Sequence, residues 1–378
     1  MTESEGATTD DSAAQDVAAG DVAASDTAAG DTAASDTGKK PPRRSLGQFL
    51  RDDWALFRER QARAGHWFRE RYMVADPRTL GLARIVVGLL LCVDGVRHWT
   101  EATLYYSNDG VLTNHWLLFQ PAGEFNFSLF SSFSSPAEVH VAFFASVCCY
   151  ALFMVGWHTR LFNVLSLLWV TSMDNRLVLV ENGGYVVVNL VVLWLMFTPS
   201  GARFSVDSLA RSFRQRRERS LAQLNAPHAP AWLDEAHVSL VSFIVVLNLA
   251  VVYIFNVVNK FGDTWRVGKT VHYVLHIDRM VTGVAVTLRE HLPYWLSVAM
   301  GWSTLVIEAL IVVTILWPVH RRFSRPVAML LIALMHTAFG LIFRLGPFSW
   351  FLVGWSTLLL QRCPWEGLLR WHRARTTP

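Results

Sequence analysis

The 378-residue chain is 52% hydrophobic, with 23 Phe and 16 Trp, and carries 34 Lys and Arg against 30 Asp and Glu. Such apolar content with a positive mean hydropathy excludes an ordinary soluble domain and fits a multi-pass membrane protein. The near balance of charge joins two unlike parts: residues 1–38 hold nine acids and no Lys or Arg, leaving 34 bases against 21 acids in the remainder.

Residues 1–44 form the first predicted unit. In DVAAGDVAASDTAAGDTAASDTG an Asp recurs every five residues from Asp16 to Asp36, with mostly small residues between. A segment with so little to bury is expected to stay disordered, either as an inert solvated tail or as an acidic tether for a partner or for basic loops of the same chain. It lacks the basic start and apolar core of a signal peptide, so insertion is expected to rely on an internal helix.

Residues 45–75 follow, with Leu46, Phe49, Leu50, Trp54, Phe57, Ala64, Phe68 and Tyr72 at nearly helical spacing among many arginines. The pattern predicts an amphipathic helix, lying in the membrane interface or packed on the protein itself.

From Leu80 eight apolar segments follow, at 80–99, 138–156, 161–174, 182–198, 238–259, 294–317, 327–343 and 347–361, the third and eighth being short. They predict an all-α polytopic bundle of about eight transmembrane helices surrounded by lipid. Arginine is dense before Leu80, in residues 201–237, in residues 318–326 and at Arg362, Arg370, Arg373 and Arg375, whereas residues 99–138 carry no Lys or Arg at all. Positive charge favours the cytoplasmic side, so both termini, including a basic tail at 363–378, are predicted to be cytoplasmic in a cell membrane. Residues 99–138, 175–181 and 260–293 then face the other side, the last with five bases, Lys260, Arg266, Lys269, Arg279 and Arg289.

The basic run RSFRQRRERS has a single aromatic, Phe213, and lies between spans, which favours a cytoplasmic loop over a nucleic-acid surface. No CxxC occurs, and the 13 histidines give no HExxH or HxxxH signature on a predicted helix, so no metal is expected. Ionisable residues within spans are the stronger lead, because a charge in hydrocarbon needs a partner or a wet cavity. Asp94 and Arg97 lie three apart and are expected to pair locally, while Glu308 and His336 have no local partner. Between the third and fourth segments, SMDNRLVLVENGGYVVVN concentrates Asp174, Asn175, Arg176, Glu181, Asn182, Gly183 and Gly184, more polar groups than a simple turn needs. Lys260 stands where the fifth segment ends, either as a snorkelling anchor or as a lysine held in a partly dry pocket.

GWHTRLFNVLSLLWVTSMDNRLVLVENGGYVVVNLVVLWLMFTP, then YIFNVVNKFGDTWRVG with VHYVLHIDR, a Glu in the sixth span and LMHTAFGLIFRLGPFSWFLV together resemble the horizontally transferred transmembrane (HTTM) domain family, related to the membrane domain of vitamin K-dependent gamma-glutamyl carboxylases. The resemblance covers roughly residues 78–362. It implies that Lys260, in step with Trp265 and Gly268, corresponds to the base that activates a vitamin K-like hydroquinone in those enzymes. A pocket of Asn175, Arg176, Asn182, Gly183, Trp265, Glu308 and His336 would surround it.

Arg176 stands where the animal carboxylases have a histidine after the asparagine, and the chain after Gln361 is too short for their large substrate-gripping domain. Two classes of function follow from the resemblance. One is a carboxylase-like, quinone-dependent membrane enzyme acting on a small molecule or on a peptide brought by an accessory protein. The other is a non-catalytic membrane protein for maturation or export of a secreted peptide.

Overall fold

The computed structural model describes residues 46–114, 127–176, 183–218, 237–361 and 365–367, and each predicted apolar segment overlaps a helix among them. The acidic tail, Glu181, Asn182 and most of the basic tail lie outside these residues. The chain runs α1 (Leu46–Tyr72), β1 (Val74–Ala75), α2 (Pro77–Trp99), α3 (Ala102–Tyr106), α4 (Pro136–Val155), α5 (Thr159–Arg176), α6 (Gly183–Met196), α7 (Val206–Glu218), β2 (His237–Val238), α8 (Leu240–Val258), α9 (Asp263–Arg266), α10 (Thr270–Leu275), α11 (Gly283–His291), α12 (Tyr294–Leu316), α13 (Arg321–Ile342) and α14 (Phe348–Ser356).

Local signals start and stop these helices. Asp76 caps α2 by accepting from the Arg78 amide at 2.8 Å, with Pro77 preset in the first turn. Ser135 and Glu138 form a reciprocal capping box at the start of α4, and Gly156 ends that helix at φ +72°. The helices α2, α4, α8, α12 and α13 are long and apolar enough to cross a bilayer. The other three predicted spans differ: α5 reaches 18 residues but carries Arg160, Asp174 and Arg176, while α6 has 14 residues and α14 only 9. A 14-residue helix is about 21 Å long, short of a hydrocarbon core of about 30 Å.

The side-chain distribution is that of a protein dissolved in lipid. Val93 on α2, Val141 on α4 and Leu334 on α13 are each at least 60% exposed, whereas Arg84, Glu308, Arg325 and His336 are buried. Facing inward is the only favourable place for such groups when the solvent is hydrocarbon. The α2–α4 crossing is close because Gly88 has no side chain: a Cβ there would lie 2.7 Å from the Met154 Cβ.

One rim of the bundle gathers the starts of α2, α8 and α13 with the ends of α4, α6 and α12. The ribbon β1–β2, with Val74 opposite Val238, ties two of these starts together. Arg71 donates to the Pro318 carbonyl at 2.5 Å, Tyr72 donates to the Leu316 carbonyl at 2.7 Å, and Phe68 packs edge-on against Phe243 at 5.1 Å. The last turn of α1 is therefore packed on the protein, one of its two predicted placements; up to Arg58 the helix belongs to a separate compact unit. Arg84 closes the same rim by donating to the Ser200 carbonyl at 2.8 Å and to the Phe204 carbonyl. Asp207 on α7 accepts from the His158 and Thr159 amides and the Thr159 hydroxyl at 2.7–2.9 Å. Burial opposes ionisation of that carboxyl, but these hydrogen bonds outweigh it and hold Asp207 below the usual carboxylate range.

Candidate functional site

At the opposite rim, α8 ends at Val258 and its next residues turn across the face of α12. Lys260 continues the last turn, its amide donating to the Val257 carbonyl at 3.2 Å, and Gly262 then opens α9. The turn is held by two glycines. Gly268 sits at φ +72°, a conformation that disfavours side-chain-bearing residues, and its carbonyl lies 2.2 Å from where a Cβ on Gly301 would stand. Trp302 adds a bond from its indole nitrogen to the Arg266 carbonyl at 3.3 Å. The Trp-x-x-Gly spacing thus has a mechanical meaning: it lets this loop lie directly on α12.

The buried face of α12 runs Ser297, Gly301, Thr304, Glu308, Ile311 and Ile315, at helical spacing. A loop seated on Gly301 therefore places Lys260 over Glu308, about two turns further along. The Lys260 ammonium pairs with both Glu308 carboxylate oxygens. The environment is unequal, since the lysine side chain retains 20% exposure and the glutamate 3%. The Trp265 ring lies 5.0 Å from the ammonium, within cation–π range.

Beneath this pair the Tyr253 hydroxyl and His336 Nε2 share a 2.9 Å hydrogen bond, both residues being buried. His336 Nδ1 is buried with no hydrogen-bond partner among the described residues. Phe339 and Phe348 pack edge-on against the imidazole at 5.8 and 5.6 Å. Gly183 faces this wall: a Cβ placed there would lie 3.7 Å from the Phe348 ring. Asn182 lies outside the described residues.

The two remaining predicted residues turn elsewhere. Asn175 donates to the Phe127 carbonyl at 2.8 Å, and the fully buried Arg176 donates to the Leu112 and Tyr106 carbonyls. These bonds tie the end of α5 to the segments around Tyr106 and Phe127. A guanidinium suits that task because its planar fork can serve two carbonyls at once.

Sequence reasoning passed over three features. Tyr253 lies seven residues before Lys260, hence on the same helix face, and was the one signal available for it. His272 and His276, an HxxxH pair on and just after α10, have rings 4.6 Å apart. The expected Asp94–Arg97 pair forms at 3.1 Å, but it belongs to a larger group in which Arg97 approaches His98 Nε2 at 3.3 Å and Tyr185 reaches the same nitrogen at 2.8 Å.

Residues 72–365 match the HTTM domain. The chain belongs to the HTTM family. No curated protein and no solved structure matches it. The HTTM match spans α2 through α14, so the Lys260–Glu308 pair and the arginine-rich rim both lie inside the family's domain. This HTTM protein is a multi-pass, all-α membrane protein.

Proposed function

We propose that this HTTM protein is a carboxylase-like membrane enzyme that uses a quinol and takes Lys260 as its base, with the arginine-rich rim facing the cytoplasm and both termini on that side. The observation that carries the reading is the Lys260–Glu308 pair, one member nearly dry and the other at the edge. In a medium of low dielectric the ion pair competes with a neutral amine beside a protonated carboxyl. Glu308 can therefore hold the proton while Lys260 presents a lone pair to an acidic hydroxyl.

The neighbouring residues suit an aromatic diol. Trp265 and Phe348 offer ring faces or edges, the half-wet amine offers a partner for one hydroxyl, and the orphaned His336 Nδ1 offers a partner for the other. A quinol bound there would supply the oxygen-dependent chemistry that the carboxylase resemblance implies. Tyr253 fixes the imidazole through Nε2, so Nδ1 stays aimed away from it.

The same pair also supports a non-catalytic reading, because a lysine neutralised by a buried carboxylate needs no substrate to be stable. Oxygen consumption by the protein in lipid vesicles supplied with menaquinol separates the two. Loss of a general base lowers a rate by about 100- to 10,000-fold, so Lys260→Ala is expected to fall to background while remaining folded. Equal consumption by wild type and Lys260→Ala would leave only the non-catalytic role.

A further inference from the structure

The arginine-rich rim contains a cavity of about 490 Å³ that the reading above does not use. Its lining holds five arginines against two carboxylates. One carboxylate, Asp76, is already committed to Arg78 at 2.5 Å. Arg321 and Arg325, one turn apart on α13, both face this space, and Arg325 is only 4% exposed. Among the described residues, each has its Nε and one Nη buried with no hydrogen-bond partner, and the Ser242 hydroxyl on the facing α8 is orphaned as well. Folded proteins leave few such groups unpaired, and an unpaired buried guanidinium is among the most unfavourable. Packing holds Arg321 in place: its guanidinium lies 5.2 Å from the Tyr72 ring, whose hydroxyl is anchored on Leu316. Water could accept some of these hydrogen bonds but carries no negative charge to neutralise two cations one helical turn apart.

We infer that this cavity binds a phosphate-bearing anion, either the headgroup of an anionic phospholipid or free phosphate. Paired guanidinium groups match phosphate oxygens through two-pronged, charge-assisted hydrogen bonds, and Ser242 adds a neutral donor from the opposite wall. The cavity also has an apolar side, with Val245, Val246 and Leu358, which suits the glycerol and upper acyl region of a lipid. Because the site is lined by the starts of α2, α8 and α13, its ligand would touch all three helices.

Native mass spectrometry of the full chain released from nanodiscs of mixed phosphatidylglycerol and phosphatidylcholine tests the inference. Wild type is expected to retain phosphatidylglycerol preferentially. Arg321→Gln and Arg325→Gln should each retain it roughly tenfold less or worse, the scale of one charge-assisted hydrogen bond. Arg322→Gln, an exposed neighbour on the same turn, should match wild type. In a second arm, in phosphatidylcholine alone, inorganic phosphate at constant ionic strength raises the wild-type unfolding temperature if the source is free phosphate. Lipid preference without a phosphate shift assigns the site to the headgroup. The inference is overturned if wild type shows neither effect, or if Arg322→Gln loses the preference as fully as the cavity variants. Should Arg325→Gln fail to fold, the wild-type preference and Arg321→Gln decide.

Discussion

Removing one partner of the Lys260–Glu308 pair should have an unequal effect depending on which partner goes. A pair in water contributes about 0–1 kcal/mol, while breaking a fully buried one costs about 3–5 kcal/mol. Glu308→Gln leaves an ammonium with 20% exposure that can turn toward water, so a loss of about 1 kcal/mol is expected. Lys260→Met leaves a carboxylate only 3% exposed with no cation beside it, and about 3 kcal/mol is expected. The double variant has no stranded charge and should lie within about 1–2 kcal/mol of wild type, giving a coupling of about 2–3 kcal/mol. Unfolding in mixed micelles, followed by tryptophan fluorescence, measures all four corners of the cycle. Additive losses, or a larger loss for Glu308→Gln than for Lys260→Met, would refute the geometry of one dry and one half-wet partner.

Gly301→Ala should lower stability by about 1–3 kcal/mol and reduce any Lys260-dependent activity, because its Cβ would meet the Gly268 carbonyl at 2.2 Å and lift the loop from α12; unchanged stability and activity would show the loop seated elsewhere. Asp207→Asn should cost about 1–2 kcal/mol at neutral pH. The folded carboxyl lies below its ordinary value, so its contribution is present above about pH 4 and fades as the pH falls through the folded value. The variant should therefore converge with wild type in acid, and a constant gap from pH 7 to pH 3 would contradict the hydrogen-bond account. Cysteines placed at Arg279 and Arg216 should label from opposite sides of the membrane, with Arg216 on the cytoplasmic side, and labelling from one side only would break the up-and-down path of the helices.

Composition and apolar run length were sufficient to specify a helical membrane bundle, because a backbone in hydrocarbon must satisfy its own hydrogen bonds and the helix does so within one segment. The caps were equally local: Asp76–Pro77, Ser135–Pro136 with Glu138, and Gly156 carry their instructions within a few residues. The Asp94–Arg97 pair was legible for the same reason, since three residues of helix bring its members together. Lys260 could be singled out by its place at the end of a span, and Glu308 and His336 by their charge or polarity inside one. That Lys260 meets Glu308, 48 positions later, depends on Gly268 lying on Gly301, a contact no periodicity encodes. Tertiary structure likewise turned Asn175 and Arg176 toward the segments around Phe127 and Tyr106, although their neighbours in sequence had suggested a pocket with Lys260. The cavity at the other rim was least legible of all: Arg321 and Arg325 look like ordinary positive-inside residues until α1, α8 and the β1–β2 ribbon close around them and remove the water that would otherwise have solvated their charge.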